Sequence, residues 1–143
     1  MSKNDESLSC KIAYLNRLYK RKVDSDTLKY GLTCEQGRFI LYLLEQESDV
    51  HLTDLVNVFH VRKSSLNSMI NNLEKNGCVK RESCEKDSRI KLIKLTDLGY
   101  EKAKLLQSSF EMNEQKTKEV LSDVEISNLN KILDKIISKI NND

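Results

Sequence analysis

The sequence predicts a mainly α-helical fold with one small β-hairpin, in which two short helices directly precede the hairpin. Three observations predict it. Apolar residues recur every three or four positions along most of the chain, which is the period of an amphipathic helix. The pattern becomes extended only between residues 79 and 95. Aromatic residues make up 6% of the chain and proline is absent, which is unlike a β-sandwich or a barrel.

The first two predicted helices are defined by their apolar faces and by local capping signals. Apolar residues at helical spacing begin at Leu8, and this helix is expected to end near Gly31. The second helix is expected over roughly 34–46. Thr33 stands three residues before Gln36, which is the spacing of a capping box at the start of that helix.

The next two predicted helices are short and close together. Apolar residues between 52 and 59 mark the third helix, and those between 66 and 73 mark one face of the fourth. Gly77 stands where a helix commonly ends on a glycine. Two short helices joined by a turn of a few residues form a helix-turn-helix.

A change of period after Gly77 predicts the hairpin. Residues 79–84 and 90–95 have the composition of strands, and the charged residues 85–89 between them read as a loop. A helix-turn-helix followed at once by a two-stranded hairpin is the winged-helix arrangement, with the wing at residues 79–95.

Two further helices follow the wing. Thr96 is the expected N-cap of the fifth, with Asp97 in its first turn, where the helix dipole favours an anion. The fifth helix is expected to reach about Leu121, and Ser122 with Glu125 has capping-box spacing before the sixth. Apolar residues of the sixth helix alternate at spacings of three and four, as in a coiled coil.

A terminal helix as apolar as the sixth should be buried against something, and a chain of 143 residues fits one domain with dimerising extensions. We therefore predict a winged helix-turn-helix core at 33–99, an N-terminal dimerisation helix in 1–32 and C-terminal dimerisation helices in 100–143. The expected interface residues are Leu8, Ile12, Leu15, Ile126, Leu129, Leu133, Ile136 and Ile140.

Charge and composition narrow the class of function. Net charge is only +2, but residues 62–95 carry nine Lys and Arg against four Asp and Glu, which is a candidate footprint for nucleic acid. No segment is apolar enough to span a membrane, and residues 1–6 do not begin a secretory signal, so we expect a cytoplasmic protein. Because the sequence shows no phosphate loop, no paired metal ligands and no catalytic set, we expect neither an enzyme nor a metal or cofactor site.

The wing and the helix before it carry a family resemblance. Residues 87–99 read Asp-x-Arg, then a strand, then Leu-Thr-x-x-Gly, and residues 64–79 hold a helix followed by a turn. These segments resemble the wing and the recognition helix of the MarR-type (multiple antibiotic resistance regulator) family, and the order of elements resembles it over roughly residues 8–140. The resemblance implies a homodimeric regulator of transcription, here expected to repress, that binds a pseudopalindromic operator in double-stranded DNA. It also implies frequent control by a small ligand or an oxidant.

The solvent face of the fourth helix and the tip of the wing are the expected DNA contacts. Asp87 has the wrong sign to touch DNA, and the resemblance implies that it pairs with an arginine and orients the wing. The cations of the strands, at positions 80, 81, 91 and 94, are expected to touch phosphates or to add positive potential. The expected DNA-binding residues are Lys63, Ser64, Ser65, Asn67, Ser68, Asn71, Lys86 and Arg89.

The sequence departs from the family pattern at three positions. Arg62 stands where a small capping residue often begins the recognition helix, and His51 stands where Ser or Thr usually precedes the third helix. Ser68 replaces an Arg that such helices often carry. These departures bear on the DNA sequence that is read rather than on the fold.

The means of control and one competing function remain open. Cys10 lies near the place where oxidant-sensing relatives hold a reactive cysteine, so a redox sensor is one alternative. A small-molecule effector in a cleft between the dimer helices and the winged core is another, with Arg38 among the residues that could line it. A winged helix that binds a protein partner instead of DNA is the alternative of a different class. The four cysteines are expected to be reduced.

Overall fold

A computed structural model of the protein describes residues 7–142, with six helices and three strands in that range. The outer ends of the predicted terminal domains, residues 1–6 and 143, lie outside the described residues. The helices are α1 (Leu8–Leu28), α2 (Cys34–Glu45), α3 (Leu52–Phe59), α4 (Lys63–Lys75), α5 (Asp97–Lys118) and α6 (Asp123–Asn141). The strands are β1 (Val50–His51), β2 (Val79–Ser83) and β3 (Lys91–Leu95). The predicted mainly helical winged fold is confirmed.

The chain divides into two compact units. One unit ends at Gln107, and the other begins at Ser108. The first unit contains α1 to α4, all three strands and the first half of α5. The second contains the rest of α5 and all of α6.

Local capping chemistry places several helix ends where the sequence predicts them. Thr33 and Gln36 form a capping box at α2, and Ser122 and Glu125 form one at α6. Hydrogen bonds from the Ser122 backbone N–H and hydroxyl lower the pKa of the Glu125 carboxyl. By contrast, His51 precedes α3 without a side-chain cap. Arg62 likewise precedes α4 without one, which matches its departure from the usual small capping residue.

Gly77 ends α4 in a Schellman motif. It has a φ of +73°, a left-handed conformation that glycine adopts without steric cost. The Gly77 N–H donates to the Glu74 carbonyl at 3.0 Å, and the Cys78 N–H donates to the Leu73 carbonyl at 2.9 Å. These two bonds turn the chain directly from α4 into β2, so that α4 and the wing are joined by one tight turn.

The sheet has three strands, whereas the sequence predicted a two-stranded hairpin. The strand order is β1-β3-β2, and both pairings are antiparallel. Val79 of β2 lies opposite Leu95, and Val50 of β1 lies opposite Ile93. The prediction missed β1 because two residues are too few to show an alternating pattern. This strand ties the start of α3 to the base of the wing.

Apolar faces of several elements meet in the core of the first unit. Leu66, Ile70 and Leu73 of α4 are completely buried, as is Leu55 of α3. Ile93 of β3 is 1% exposed. Further large buried side chains come from α2 and α5 and include Phe39, Ile40 and Leu106. Since the buried face of α4 is fixed by these contacts, its opposite face is held toward solvent.

The Thr-x-x-Gly part of the wing motif has a structural cause. The Thr96 hydroxyl donates to the Gly77 carbonyl and accepts from the Gly99 N–H at 3.0 Å. A Cβ on Gly99 would lie 1.9 Å from the Cys78 carbonyl oxygen. Glycine is therefore required where α5 crosses the turn between α4 and β2.

Replacing Gly99 with alanine is expected to destabilise the protein by about 3 kcal/mol, because the backbone of Cys78 must move to admit the methyl group. We expect the melting temperature to fall by about 10 °C. In an unobstructed helix, alanine in place of glycine is stabilising by about 1 kcal/mol. A melting curve that is unchanged or shifted upward would show that α5 does not approach this turn so closely.

Candidate nucleic-acid interface

The solvent face of α4 carries small polar side chains and few charges. Lys63, Ser64, Ser65, Ser68 and Asn71 are exposed, whereas Asn67 is half-buried at the edge of the face. Ser64, Ser68 and Asn71 are spaced four and three residues apart, so they form one row along the helix. The predicted contacts on α4 therefore lie together on one surface. Asn67 is less accessible to solvent than its neighbours.

At the wing tip, Asp87 contacts the arginine that the sequence predicts to bind DNA. The Arg89 backbone N–H donates to Asp87 Oδ1 at 2.9 Å, and Arg89 Nε lies 3.5 Å from the same oxygen. The Ile90 N–H also donates to the Asp87 carbonyl at 3.0 Å. The Arg89 side chain is nonetheless 91% exposed, and Lys86 is exposed beside it. Asp87 thus shapes the tip and leaves the guanidinium outside.

The cations of the wing strands have partners within the wing. Lys80 Nζ lies 2.8 Å from Glu82, and Lys94 Nζ lies 3.1 Å from the same carboxylate. These two hydrogen bonds, with that from Lys80 the stronger influence, lower the pKa of Glu82, and Glu82 in turn raises the pKa of Lys94. Lys91 donates to the Ser83 hydroxyl at 2.7 Å. The strands therefore contribute less free positive charge than their composition suggests.

Arg81 differs from the other strand cations because its side chain reaches α4. Its guanidinium pairs with the Glu74 carboxylate and donates to Asn71 Oδ1 at 2.8 Å. The sequence contained no signal for this contact, since the partners are seven and ten residues apart and lie on a helix and a strand. Arg81 therefore connects the solvent face of α4 to the wing, and its guanidinium is not free to contact a phosphate.

Basic side chains from three elements line one hollow beside the wing. Lys63 at the start of α4, Arg89 at the wing tip and Lys91 of β3 border it, together with His51 at the start of α3. A polyanion entering this hollow would meet cations from both the helix and the wing. The structure thus brings together predicted contacts that lie 26 residues apart in the sequence.

The predicted dimer residues are unburied in the single chain. On α1, Leu8 is 66% exposed and Leu15 is 53% exposed. On α6, Leu133 is 39% exposed and Ile140 is 68% exposed. The other predicted members are Ile12 and Leu129, which are exposed, and Ile126 and Ile136, which are half-buried.

The cysteines differ in access to solvent. Cys10 is exposed in the first turn of α1, and Cys84 is half-buried. Cys34 and Cys78 are buried, and burial raises the pKa of the Cys34 thiol. All four are free thiols in the structure.

A partly apolar pocket lies between α2 and α4. Arg38 borders it, and Phe59, Leu66 and Met69 supply apolar surface.

Within residues 7–142, no group of three or more His, Cys, Asp and Glu side chains could hold a metal ion. No helix in the same range is long and apolar enough to cross a membrane.

Comparison with known proteins agrees with this architecture. Residues 37–91 match the model of the MarR family. The structure of MepR from S. aureus in complex with DNA superposes with a TM-score of 0.87 at 25% identity, over 93% of this chain and 98% of that one. The transcription regulator MarR from Oenococcus oeni PSU-1 gives a TM-score of 0.82 at 25% identity, over 92% and 99% of the two chains.

AbsC, a MarR family transcriptional regulator from Streptomyces coelicolor, shares the fold with a TM-score of 0.85 at 23% identity, over 100% of this chain and 98% of that one. No curated protein matches the sequence. The matched segment extends from α2 to the first residue of β3 and so contains the helix-turn-helix and most of the wing. Residues 37–91 therefore match the MarR family, and the chain has the winged-helix fold seen in solved structures of MarR-type transcriptional regulators.

Proposed function

We propose that this protein is a sequence-specific regulator of transcription that binds double-stranded DNA as a homodimer. The observation that carries the proposal is that one winged-helix unit presents the polar face of α4 and a 91%-exposed Arg89 on the adjacent wing. The DNA complex of MepR, a protein of 25% identity with the same fold, supports it. The family and its solved members are regulators rather than enzymes, which supports a role without catalysis.

In the proposed complex α4 lies in the major groove, which is wide enough to admit a helix. In this arrangement the first turn of the helix would contact phosphates and the nearest base edges through Lys63, Ser64 and Ser65, and backbone N–H groups at a helix start also attract anions. Ser68 and Asn71, further along the same row, would contact bases. Asn67 contributes at the edge.

The wing tip is proposed to contact the neighbouring minor groove. A narrow minor groove concentrates negative potential and attracts an inserted arginine, and Arg89 is the exposed guanidinium of the tip. Lys86 adds charge at the same tip. Asp87 contributes indirectly, because its hydrogen bond to the Arg89 backbone holds the turn from which that side chain projects.

A homodimer accounts for the exposed apolar faces of the terminal helices. A row of Leu and Ile on α6 that is unburied in one chain is expected to be buried against a second copy. Residues 1–32 and 100–143 would then serve dimerisation and residues 33–99 would serve DNA binding. Twofold symmetry predicts a pseudopalindromic operator with half-sites about 10 bp apart, or one helical turn.

Repression is the expected sense of regulation, because a dimer seated in successive grooves of a promoter obstructs polymerase. We expect the protein to act in the cytoplasm, together with the DNA that it is proposed to bind. Relief by a small ligand is the expected control. The pocket bordered by Arg38 is a place where such a ligand would contact α4 directly.

Selection of bound fragments from random duplex DNA tests the proposed function. We expect enrichment of a pseudopalindrome with half-sites one turn apart, and binding that weakens steeply with salt because counterions are released from DNA. Absence of any enriched sequence, or binding insensitive to salt, would contradict the proposal. That result would favour the alternative in which the same surface binds a protein partner.

Oxidant sensing through Cys10 is a second candidate, favoured by the exposure of that thiol. Access is a requirement for a sensor cysteine, and Cys34 and Cys78 lack it. The Cys10→Ser variant is expected to bind DNA like the wild type and to remain bound when peroxide releases the wild type, measured by fluorescence anisotropy. Release of this variant by peroxide would exclude Cys10, and Cys84→Ser would then be the matched test.

A further inference from the structure

One contact in the structure determines which end of the Asn71 amide is available to a ligand. Arg81 Nη2 donates to Asn71 Oδ1 at 2.8 Å, and the same guanidinium pairs with the Glu74 carboxylate. The Arg81 side chain is only 23% exposed, which agrees with its lying along α4. Two partners on successive turns of α4 hold the guanidinium on the flank of the helix that faces β2.

The chemistry of the two groups fixes their orientation. A guanidinium has N–H donors and no acceptor, so the atom that faces it must be the amide oxygen. Asn71 therefore turns its oxygen toward Arg81 and its NH₂ group away. The NH₂ group carries two donors and accepts nothing.

This orientation conflicts with the usual pairing of asparagine with adenine. That pairing uses both ends of the amide, because the oxygen accepts from adenine N6 while the NH₂ group donates to N7. An amide oxygen that accepts from Arg81 has one of its two lone pairs left, whereas both N–H donors stay free, so donation becomes the favoured interaction of Asn71 with a base. In the major groove guanine presents two acceptors, O6 and N7, and thymine presents one, O4. Adenine presents the acceptor N7 beside the N6 donor, which opposes a second donor, and cytosine presents a donor.

We propose that Arg81 is a positioning residue that makes Asn71 a hydrogen-bond donor toward DNA, so that the base facing Asn71 is guanine or thymine rather than adenine. The inference rests on the proposed function, because it requires α4 to lie in the major groove. It assigns to Arg81 a role in specificity through Asn71, in place of a phosphate contact. Glu74 supports that role by fixing the second half of the guanidinium.

The test removes the contact without changing the net charge. The double variant Arg81→Met with Glu74→Ala loses one positive and one negative charge, so nonspecific attraction to DNA stays as it was. The matched control is Lys80→Met with Glu82→Ala, which removes the neighbouring ion pair of the same strand, at 2.8 Å, and with it the contact between Glu82 and Lys94, without touching α4. Melting curves establish that each variant is folded.

Base preferences are then measured by selection from randomised duplex DNA. For the wild type we expect guanine or thymine at one position of each half-site. The Arg81→Met, Glu74→Ala variant is expected to shift that position toward adenine by about tenfold, since the amide oxygen becomes free to accept. The control variant is expected to keep the wild-type preference. With Asn71→Ala the preference at that position should disappear.

A single isosteric variant tests the same point if the double variant does not fold. Asn71→Asp keeps the partner of Arg81 but carries no donor, so guanine or thymine should lose about tenfold in affinity at that position.

The proposal is overturned if the wild type selects adenine there, or if the base preference survives loss of Arg81 or of Asn71. It is also overturned if Asn71→Ala weakens all sequences equally, since that result indicates a phosphate contact. If the wild type enriches no sequence at all, the proposed function itself fails, and this inference fails with it.

Discussion

Replacing Arg89 with alanine is expected to weaken operator binding by about ten- to a hundredfold and to leave the melting temperature unchanged. A side chain that is 91% exposed makes few contacts within the fold, and its one ion pair, with Asp87 at 3.5 Å, is too exposed to contribute much stability. In a DNA complex, however, an arginine in a groove is worth about ten- to a hundredfold in affinity. Titration of a labelled operator and a thermal melt measure the two effects separately.

Two further variants separate the role of the Arg89 guanidinium from that of charge alone. Lys29→Ala removes one exposed positive charge just after the end of α1, outside α4 and the wing, and should leave binding almost unchanged. Arg89→Lys keeps the charge but loses the planar group, so we expect an intermediate loss. If Arg89→Ala binds the operator as tightly as the wild type does, the wing tip is not a DNA contact.

The parts of the fold that the sequence predicts are those determined by local chemistry. Thr33 with Gln36, and Ser122 with Glu125, form capping boxes at the predicted positions, because a capping box involves residues only three apart. Gly77 ends α4 as predicted for the same reason. The strand β1 was missed because its two residues form a strand only through pairing with β3. Such pairing is a tertiary contact that leaves no period in the sequence.

The same distinction applies to the candidate site. The outer face of α4 follows from the spacing of its apolar residues, so the set from Lys63 to Asn71 could be proposed from the sequence. The contact between Asp87 and Arg89 joins residues only two positions apart, so it could be predicted from local chemistry. The contact between Arg81 and Asn71 could not be predicted, because it depends on how β2 lies against α4 after the turn at Gly77. A count of cations in the wing therefore overstated how many are free to meet DNA.

Replacing Leu133 with aspartate is expected to convert the proposed homodimer into a monomer and to reduce operator affinity by about a hundredfold or more. Leu133 lies in the middle of the apolar row of α6, and it is 39% exposed in the single chain. A carboxylate there would be buried without a partner on association, which is costly. Loss of the dimer also removes the second half-site contact, and bivalent binding is worth about a hundredfold or more. Sedimentation equilibrium and operator titration measure the two consequences.

The matched control places the same charge on the opposite face of the same helix. Ser138 is exposed and lies five residues after Leu133, about 140° around the helix from it, so Ser138→Asp should remain dimeric and bind DNA. Because both variants add one negative charge to α6, a difference between them is due to the apolar row and not to repulsion from DNA. If Leu133→Asp remains a dimer that binds the operator, α6 is not the interface, and the exposed face of α1 becomes the surface to test. If it becomes monomeric yet binds the operator with wild-type affinity, the two half-sites are not read by one dimer, and the pseudopalindromic operator must be abandoned.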